Sequence, residues 1–264
     1  MRLAVSNIAW DKQNDRDVLL KLANFDISGI ELAPTIIFDN WGITDTKARD
    51  YKKMLDGFGF KVPAFQSIFF GKPELQLFDK CCWNALREHI NKVANLASIF
   101  DAKVLVFGAP KNRIRNNISY VDAEEISVEI LSELADICFQ FGCCIGLEAN
   151  PKEYNCDFIT NVADVMRIVD IINKPGLKLH FDSGGTYMCG SDVAGTIKKA
   201  KNFVHYHISE PLLAPVVENR VNHFDAFRTL KEIGYNKWVS VEMKKPSDQK
   251  VLFNSIEFIK NLLQ

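Results

Sequence analysis

The sequence predicts an α/β fold, a single-domain (β/α)8 TIM barrel that spans residues 1–264. Short apolar runs, rich in β-branched and aromatic residues, recur eight times and have the pattern of buried strands. Segments with apolar residues three and four positions apart, the spacing of an amphipathic helix, lie between these runs. Apolar strands that alternate with helices form a parallel sheet covered by helices, and eight such units in about 250 residues suit a closed barrel.

The predicted elements alternate along the whole chain. The predicted strands are LAVSNIAW, ISGIELAP, KVPAFQSIFF, AKVLVFGAP, CCIGLEAN, LKLHFDSG, FVHYHISEP and WVSVEMKK. The predicted helices include DRDVLLKLANF, ALREHINKVANLASIF, AEEISVEILSELADICFQFG, ITNVADVMRIVDII, DVAGTIKKAK (residues 192–201), HFDAFRTLKEIG and VLFNSIEFIKNLL.

An open, doubly wound sheet is the alternative arrangement of these elements. Such folds often place a glycine-rich, phosphate-binding turn after the first strand, but DKQNDRD follows it here. No GxGxxG or Walker sequence occurs elsewhere, which favours the barrel. No linker, low-complexity tract or change of composition divides the chain, so we expect one domain.

Charge and composition exclude several classes of protein. Lysine and arginine number 32 against 33 acidic residues, so no overall field would attract nucleic acid or an anionic membrane. No stretch approaches the roughly 20 apolar residues of a membrane span, and the first residues lack the features of a signal peptide. We therefore expect a cytoplasmic protein. The 7 cysteines show no CxxC spacing and indicate buried free thiols rather than disulfides or a zinc knuckle.

Polar residues stand at the ends of the last four predicted strands. Glu148 ends the fifth strand, Asp182 the sixth, His207 the seventh and Glu242 the eighth. The carboxyl ends of barrel strands meet at one rim, where three converging carboxylates would repel one another unless a cation neutralised them. This ligand set predicts one divalent metal ion, namely Mn, Mg, Co or Zn. Each residue alone also suits a structural role, as a helix cap, a turn former or a hydrogen-bonded core histidine.

Further residues near the same rim are candidates for substrate binding. They are Trp10, Glu31 and Gln66 at the ends of the first three strands, Lys111 and Arg113 after the fourth, Asn150 after the fifth, and Glu210 and His223 after the seventh. Lysine and arginine in one loop suit a phosphate or carboxylate, although they equally suit a solvated loop. An aromatic ring such as Trp10 could shield one face of a sugar or simply pack beneath the rim. His223 could instead begin a helix capped by Asn222.

The motifs LEANP, HFDSGG, HISEP and VSVEM, in this order and spacing, resemble the xylose isomerase-like TIM barrels over essentially the whole chain. More narrowly, the sequence is similar to the sugar phosphate isomerase/epimerase group of that superfamily. The resemblance implies that Glu148, Asp182, His207 and Glu242 hold the metal. It also implies that Glu148 and Glu242 exchange protons on opposite faces of a small carbohydrate, through an enediolate. A homodimer or homotetramer is usual among such proteins.

The sequence departs from some relatives at two places. Many epimerases have a histidine three residues after the sixth-strand aspartate, where this chain has Gly185, and SEPLLAP lacks an arginine that some place there. Endonuclease IV needs histidines on its early strands, which this chain lacks, so no DNA-repair function is expected. A dehydratase resembling inosose dehydratase, or a barrel that binds a metabolite without catalysis, remain alternatives to an isomerase/epimerase.

Overall fold

The computed structural model describes residues 1–200 and 202–263, and within them it has eight parallel strands. The strands are β1 Arg2–Ser6, β2 Gly29–Glu31, β3 Ala64–Phe65, β4 Val104–Phe107, β5 Cys144–Leu147, β6 Leu177–Asp182, β7 His205–Ser209 and β8 Trp238–Glu242. They are hydrogen-bonded in the order β2-β1-β8-β7-β6-β5-β4-β3. Isolated parallel bridges, Gly29 to Lys61 and Leu32 to Phe65, join the two end strands. The predicted (β/α)8 barrel is therefore confirmed.

Helices connect the strands and cover the outside of the barrel. They are α1 Asp15–Asn24, α2 Pro34–Phe38, α3 Asp45–Gly57, α4 Trp83–Phe100, α5 Tyr120–Gln140, α6 Val162–Ile172, α7 Ser183–Met188, α8 Val193–Ala200, α9 His223–Glu232 and α10 Gln249–Leu263. The predicted helix 192–201 corresponds to α8, and its last residue, Lys201, lies outside the described residues, as does Gln264. No described helix is both long and apolar enough to cross a membrane.

Helices α2, α3 and α7 do not correspond to the helices named from the sequence. In α3 only Ala48 and Leu55 are buried, so the helix has a narrow apolar stripe that periodicity detects poorly. The side chain of Thr44 caps its first turn by accepting a hydrogen bond from the backbone amide of Lys47. Helix α7 is a six-residue segment that begins directly after Asp182.

The register between neighbouring strands positions the candidate ligands. Asp182 on β6 pairs with His207 on β7, and Ser209 on β7 pairs with Glu242 on β8. Side chains two residues apart on a strand share a face. The parallel register therefore gathers the ends of β6, β7 and β8 at one opening of the barrel.

Gly146 on β5 leaves space in the layer below that opening. A Cβ atom at this position would lie 3.1 Å from His180 Cβ and 2.7 Å from Val104 Cγ1, both closer than ordinary packing allows. The missing side chain therefore makes room inside the barrel for the ring of His180.

Candidate metal centre and active site

A cavity of about 760 Å³ opens at the carboxyl ends of the strands. Its wall includes the carboxylates of Glu148, Asp182 and Glu242, together with loop residues that follow β3, β4, β5 and β7. The three acidic side chains are largely buried, at 16%, 10% and 12% exposure respectively. A concave site with a few converging polar groups is the usual form of a small-molecule site in this fold.

The four predicted ligands converge around the imidazole of His207. Its Nδ1 lies 3.1 Å from Glu242 Oε2 and 3.8 Å from Asp182 Oδ2. One ligand atom from each of Glu148, His180 and His207 also falls within 4.8 Å of the others. The set Glu148, Asp182, His207 and Glu242 is called the four-residue cluster below.

The two ring nitrogens of His207 have different surroundings. Nε2 lies 2.7 Å from Glu31 Oε1, whereas the buried Nδ1 has no hydrogen-bond partner in the described part of the chain. Histidines that bind metals commonly donate their second ring N–H to a carboxylate, which fixes the tautomer. A divalent cation that displaced the proton of Nδ1 would lie beside the carboxylates of Asp182 and Glu242, so the residues present fit a metal ion.

Neighbouring groups hold two of the carboxylates in place. Asp182 Oδ2 accepts a hydrogen bond of 2.5 Å from Ser209 Oγ, and its other oxygen accepts one from the backbone amide of Gly185. Glu148 Oε1 accepts one of 2.9 Å from Asn150 Nδ2. Ser209, Gly185 and Asn150 thus orient these carboxylates in the absence of a ligand.

The absence of a side chain at Gly185 has a local cause. A Cβ atom at this position would lie 2.9 Å from Asp182 Oδ1, too close for the carboxylate to remain where it is. The backbone amide of Gly185 caps Asp182, and a larger residue at this position would require the carboxylate to shift. The glycine thus fits the observed position of Asp182.

The carboxylates of the cluster are electrostatically crowded. Burial, reinforced by the charges of Asp182 and Glu242, raises the pKa of Glu148 to about 8. Burial and the nearby Glu242 raise the pKa of Asp182 to about 6. Burial lowers the pKa of His207, but the charges of Glu242 and Glu31 outweigh it and raise that pKa well above its usual value. A cation at the cluster would relieve the repulsion that these shifts record.

Three of the residues predicted to bind substrate line the cavity. They are Gln66, Lys111 and Asn150. Gln66 is held by a hydrogen bond of 2.6 Å from its Nε2 to Ser6 Oγ, whereas Lys111 is exposed. These positions keep all three available for contact with a ligand.

Trp10 and Arg113 do not line the cavity. Strand β1 ends at Ser6, a short turn follows, and the indole N–H of Trp10 donates to Asp15 Oδ1 at 2.8 Å. Arg113 is fully buried and donates from Nη1 to the backbone carbonyl of Glu148 at 2.8 Å. Trp10 therefore packs beneath the rim, and Arg113 supports the backbone of Glu148. Neither side chain lies at the cavity wall, where contact with substrate was predicted.

Glu31 also faces the interior rather than the cavity. It is fully buried, and its two carboxylate oxygens each lie 2.7 Å from an Nε2 atom, one of His205 and the other of His207. Burial opposes its ionisation, but the two imidazoles keep the pKa of Glu31 well below its usual value. Glu31 is therefore a partner of the predicted metal ligand His207 and not a contact of substrate.

Glu210 and His223 form a buried pair away from the cavity. His223 Nε2 lies 2.8 Å from Glu210 Oε1, and both side chains are fully buried. The carboxylate also accepts hydrogen bonds from the backbone amides of Arg220 and Val221. The pair joins the two ends of the loop between β7 and α9, so both predicted substrate contacts lie outside the residues that line the cavity.

His180 lies on β6, two residues before Asp182, and both of its ring nitrogens are buried without a hydrogen-bond partner among the described residues. Its Nε2 lies 3.6 Å from Glu148 Oε2. The two-residue spacing from Asp182 could have identified His180 as part of the site, because it places both on the same face of β6.

Several cavity residues adopt left-handed backbone conformations that are uncommon for residues other than glycine. Ser67, Ala109, Leu212 and Leu213 line the cavity with φ values of 54°, 39°, 60° and 57°. Such conformations cost about 1–3 kcal/mol each and concentrate at functional sites. The loops around this opening are therefore held in specific shapes.

Comparison with known proteins identifies the family. Residues 19–262 match the family described as xylose isomerase-like TIM barrel. The chain belongs to this family. The resemblance found in its strand-end motifs is confirmed.

Curated relatives match about half of the chain. Inosose isomerase of Bacillus licheniformis is 32% identical over 145 residues, an alignment that covers 49% of this chain and 50% of the relative. The chain thus spans about half the length of the curated relatives it matches.

Two solved structures share the fold throughout. D-Psicose 3-epimerase from Clostridium cellulolyticum H10, solved with D-tagatose, has a TM-score of 0.83 at 16% identity and covers 100% of both chains. The IOLI protein, solved with a bound zinc atom, has a TM-score of 0.77 at 19% identity, covering 100% of this chain and 98% of that one. At these low sequence identities, the comparison shows that the fold is shared.

Proposed function

We propose that the protein is a divalent-metal-dependent isomerase or epimerase of a small sugar, polyol or sugar phosphate. The observation that carries this proposal is the unpartnered Nδ1 of His207, buried beside two carboxylates at the wall of a cavity. Inosose isomerase and D-psicose 3-epimerase, which resemble this chain, support the class of substrate.

In this proposal, Glu148, Asp182, His207 and Glu242 hold the metal. When bound, the cation would polarise the substrate carbonyl and stabilise the negative charge of an enediolate. Ser209 and Asn150 orient two of the carboxylates through the hydrogen bonds described above. Glu31 holds His207 so that its Nδ1 points toward Asp182 and Glu242.

Glu148 and Glu242 are the proposed acid/base pair. One carboxylate removes the proton from a carbon next to the carbonyl, and the other carboxyl group returns a proton to the same carbon or its neighbour. In the metal-free protein, burial and the charges of Asp182 and Glu242 raise the pKa of Glu148 to about 8. After both transfers, one glutamate is protonated and the other is ionised, so the reverse reaction can begin.

The same groups would also support dehydration. A carboxylate that removes a proton beside a carbonyl, and a protonated partner that donates to a departing hydroxyl, together eliminate water. The elimination product differs from an epimer by the loss of one water molecule, so mass spectrometry separates the two reactions.

The proposal is tested by metal analysis followed by hydrogen exchange. Protein loaded in turn with Mn, Mg, Co or Zn is incubated in D2O with a panel of keto-sugars, inososes and sugar phosphates. Deuterium incorporation at carbon, with no change in the number of oxygens, is expected. Metal-free protein is the matched control and should show no incorporation.

Other outcomes are decisive as well. Loss of water from a substrate would establish the dehydratase instead. A protein that binds none of the metals and exchanges no proton would contradict both reactions and favour a barrel that only binds metabolites.

A further inference from the structure

A second cavity, of about 470 Å³, opens at the opposite end of the barrel, where the strands begin. Five cationic side chains line it: Arg2, Lys52, Lys61, Lys103 and Lys237. Asp101 is the acidic residue in its wall. We call these five residues and the cavity between them the basic mouth.

The sequence places these cations at the starts of several strands. Arg2 begins β1, Lys103 directly precedes β4, and Lys237 directly precedes β8. Lys61 pairs through its backbone with the start of β2, where Ile30 N donates to its carbonyl. Because parallel strands of a barrel begin at one end, cations at their starts form a ring.

Few carboxylates balance this ring. Lys52 is paired with Asp56 at 2.6 Å. Within residues 1–200 and 202–263, no carboxylate oxygen lies within 4.0 Å of the charged groups of Arg2, Lys61, Lys103 or Lys237. The positive potential inside the concavity is therefore largely uncompensated.

Two of the cations are already fixed in place. The guanidinium of Arg2 lies 4.4 Å from the ring centroid of Trp238, and Lys237 Nζ donates to the carbonyl of Phe203 at 2.8 Å. Burial, together with the positive charge of Lys178, lowers the pKa of Lys237. Fixed cations lose less conformational entropy when a ligand binds than freely moving ones.

We propose that the basic mouth binds a small anion that carries a phosphate group, either inorganic phosphate or a phosphorylated metabolite. The cavity of about 470 Å³ has the size of a small-molecule site. Its concave shape suits such a molecule better than the flat surface of another protein. The net charge of −1 also argues against an extended polyanion such as nucleic acid. Such a ligand would extend beyond the basic mouth onto a surface with no excess of positive charge to attract it. Lysine and arginine side chains supply the charge-assisted hydrogen bonds that phosphate oxygens require.

The site is distinct from the proposed active site. The four-residue cluster lies at the carboxyl ends of β5 to β8, whereas the basic mouth surrounds their starts. His205 lines the basic mouth, and its Nε2 contacts Glu31 and Ser240 within the barrel. A phosphate at the basic mouth would therefore occupy a separate site, with His205 and Glu31 between it and a metal at the cluster.

Isothermal titration of the metal-loaded full chain with inorganic phosphate and with glycerol 3-phosphate tests this proposal. The wild type should bind at least one of them saturably, and stronger binding of glycerol 3-phosphate would identify a metabolite rather than free phosphate as the ligand. Lys61→Gln combined with Lys103→Gln should weaken binding about tenfold or more, because two charge-assisted contacts are lost. Both lysines are exposed, so the variant should fold, which its circular dichroism spectrum checks.

The matched control is Lys92→Gln combined with Lys199→Gln, which removes the same charge from exposed positions on α4 and α8 that line neither cavity. This variant should bind phosphate with the wild-type affinity. Loss of binding in the control variant, undiminished binding in the Lys61/Lys103 variant, or no saturable binding by the wild type would each overturn the proposal. If the double variant fails to fold, Lys61→Gln and Lys103→Gln are compared singly with Lys92→Gln.

Discussion

The two ends of the barrel present opposite charges on one scaffold. At the carboxyl ends of the strands, three largely buried carboxylates surround the imidazole of His207. At the starts of the same strands, five cations surround a cavity with one carboxylate in its wall. A buried charge loses hydration and requires a counter-charge, whereas an exposed lysine remains hydrated. Neutralisation by protons or by a cation therefore matters more for the acidic end than an anion does for the basic end.

The largest expected effect is at the proposed acid/base pair. Glu148→Gln and Glu242→Gln should each reduce deuterium exchange by about 10²- to 10⁴-fold, since an amide cannot remove the proton. The rate is measured by mass spectrometry with saturating metal, so that weaker metal binding does not account for the loss. Glu125→Gln, at an exposed residue of α5 outside the cavity, is the control and should retain the wild-type rate. Full activity of either cluster variant would refute the two-base assignment.

The second-largest effect is expected at Glu31, which contacts the proposed metal ligand His207. Glu31→Gln should weaken metal binding about 10- to 100-fold, because His207 would lose the carboxylate that fixes its tautomer. Titration calorimetry with zinc or manganese measures the change. Glu210→Gln is the matched control, since Glu210 is also fully buried against a histidine but lies outside the cluster. It should lower the melting temperature and leave metal affinity unchanged. Equal losses of affinity in both variants would mean that Glu31 acts only through the fold.

The third effect is expected inside the barrel at Gly146 on β5, where an added side chain would have little space. Gly146→Ala should destabilise the protein by about 1–3 kcal/mol, because the new methyl group would lie 2.7 Å from Val104 Cγ1. Urea unfolding measures the change in the free energy of unfolding. Gly57→Ala, at the end of α3, meets no atom within 4 Å and should be neutral or slightly stabilising. Similar stabilities of the two variants would show that the barrel interior relaxes around the extra atom.

The smallest effect is a dependence on pH at the acidic end. Glu148, with its pKa raised to about 8, and Asp182, with its pKa raised to about 6, hold protons more tightly in the folded, metal-free protein than when unfolded. Their contribution to stability is thus present at low pH and is lost as the pH rises through about 6 to 8. A metal must displace these protons, so its affinity should rise up to about tenfold per pH unit for each proton released.

Thermal unfolding with and without metal, at about pH 5 and about pH 8.5, measures this dependence. The gain in melting temperature from the metal should be larger at the higher pH. Without metal, Asp182→Asn combined with Glu148→Gln should reduce the difference in melting temperature between the two pH values, because neither replacement residue titrates. An equal gain at both pH values in the wild type would contradict the proposed crowding of carboxylates.

Strand periodicity was sufficient to predict the barrel and the meeting of Glu148, Asp182, His207 and Glu242. Strong apolar alternation defines each strand, and parallel register then fixes which ends meet. Substrate contacts were harder to predict, because they depend on how loops return to the barrel. Glu210 and His223 follow β7 in sequence, yet they pair with each other beneath the loop. Glu31 ends β2 as expected, but its direction depends on two histidines that are distant in sequence.

The close approach of Gly185 to Asp182 also limits which side chains position 185 can hold. A Cβ atom there would lie 2.9 Å from Asp182 Oδ1, the oxygen that the backbone amide of Gly185 caps. A histidine at this position would therefore require the carboxylate of Asp182 to shift. The residue at position 185 thus helps to set where a proposed metal ligand points.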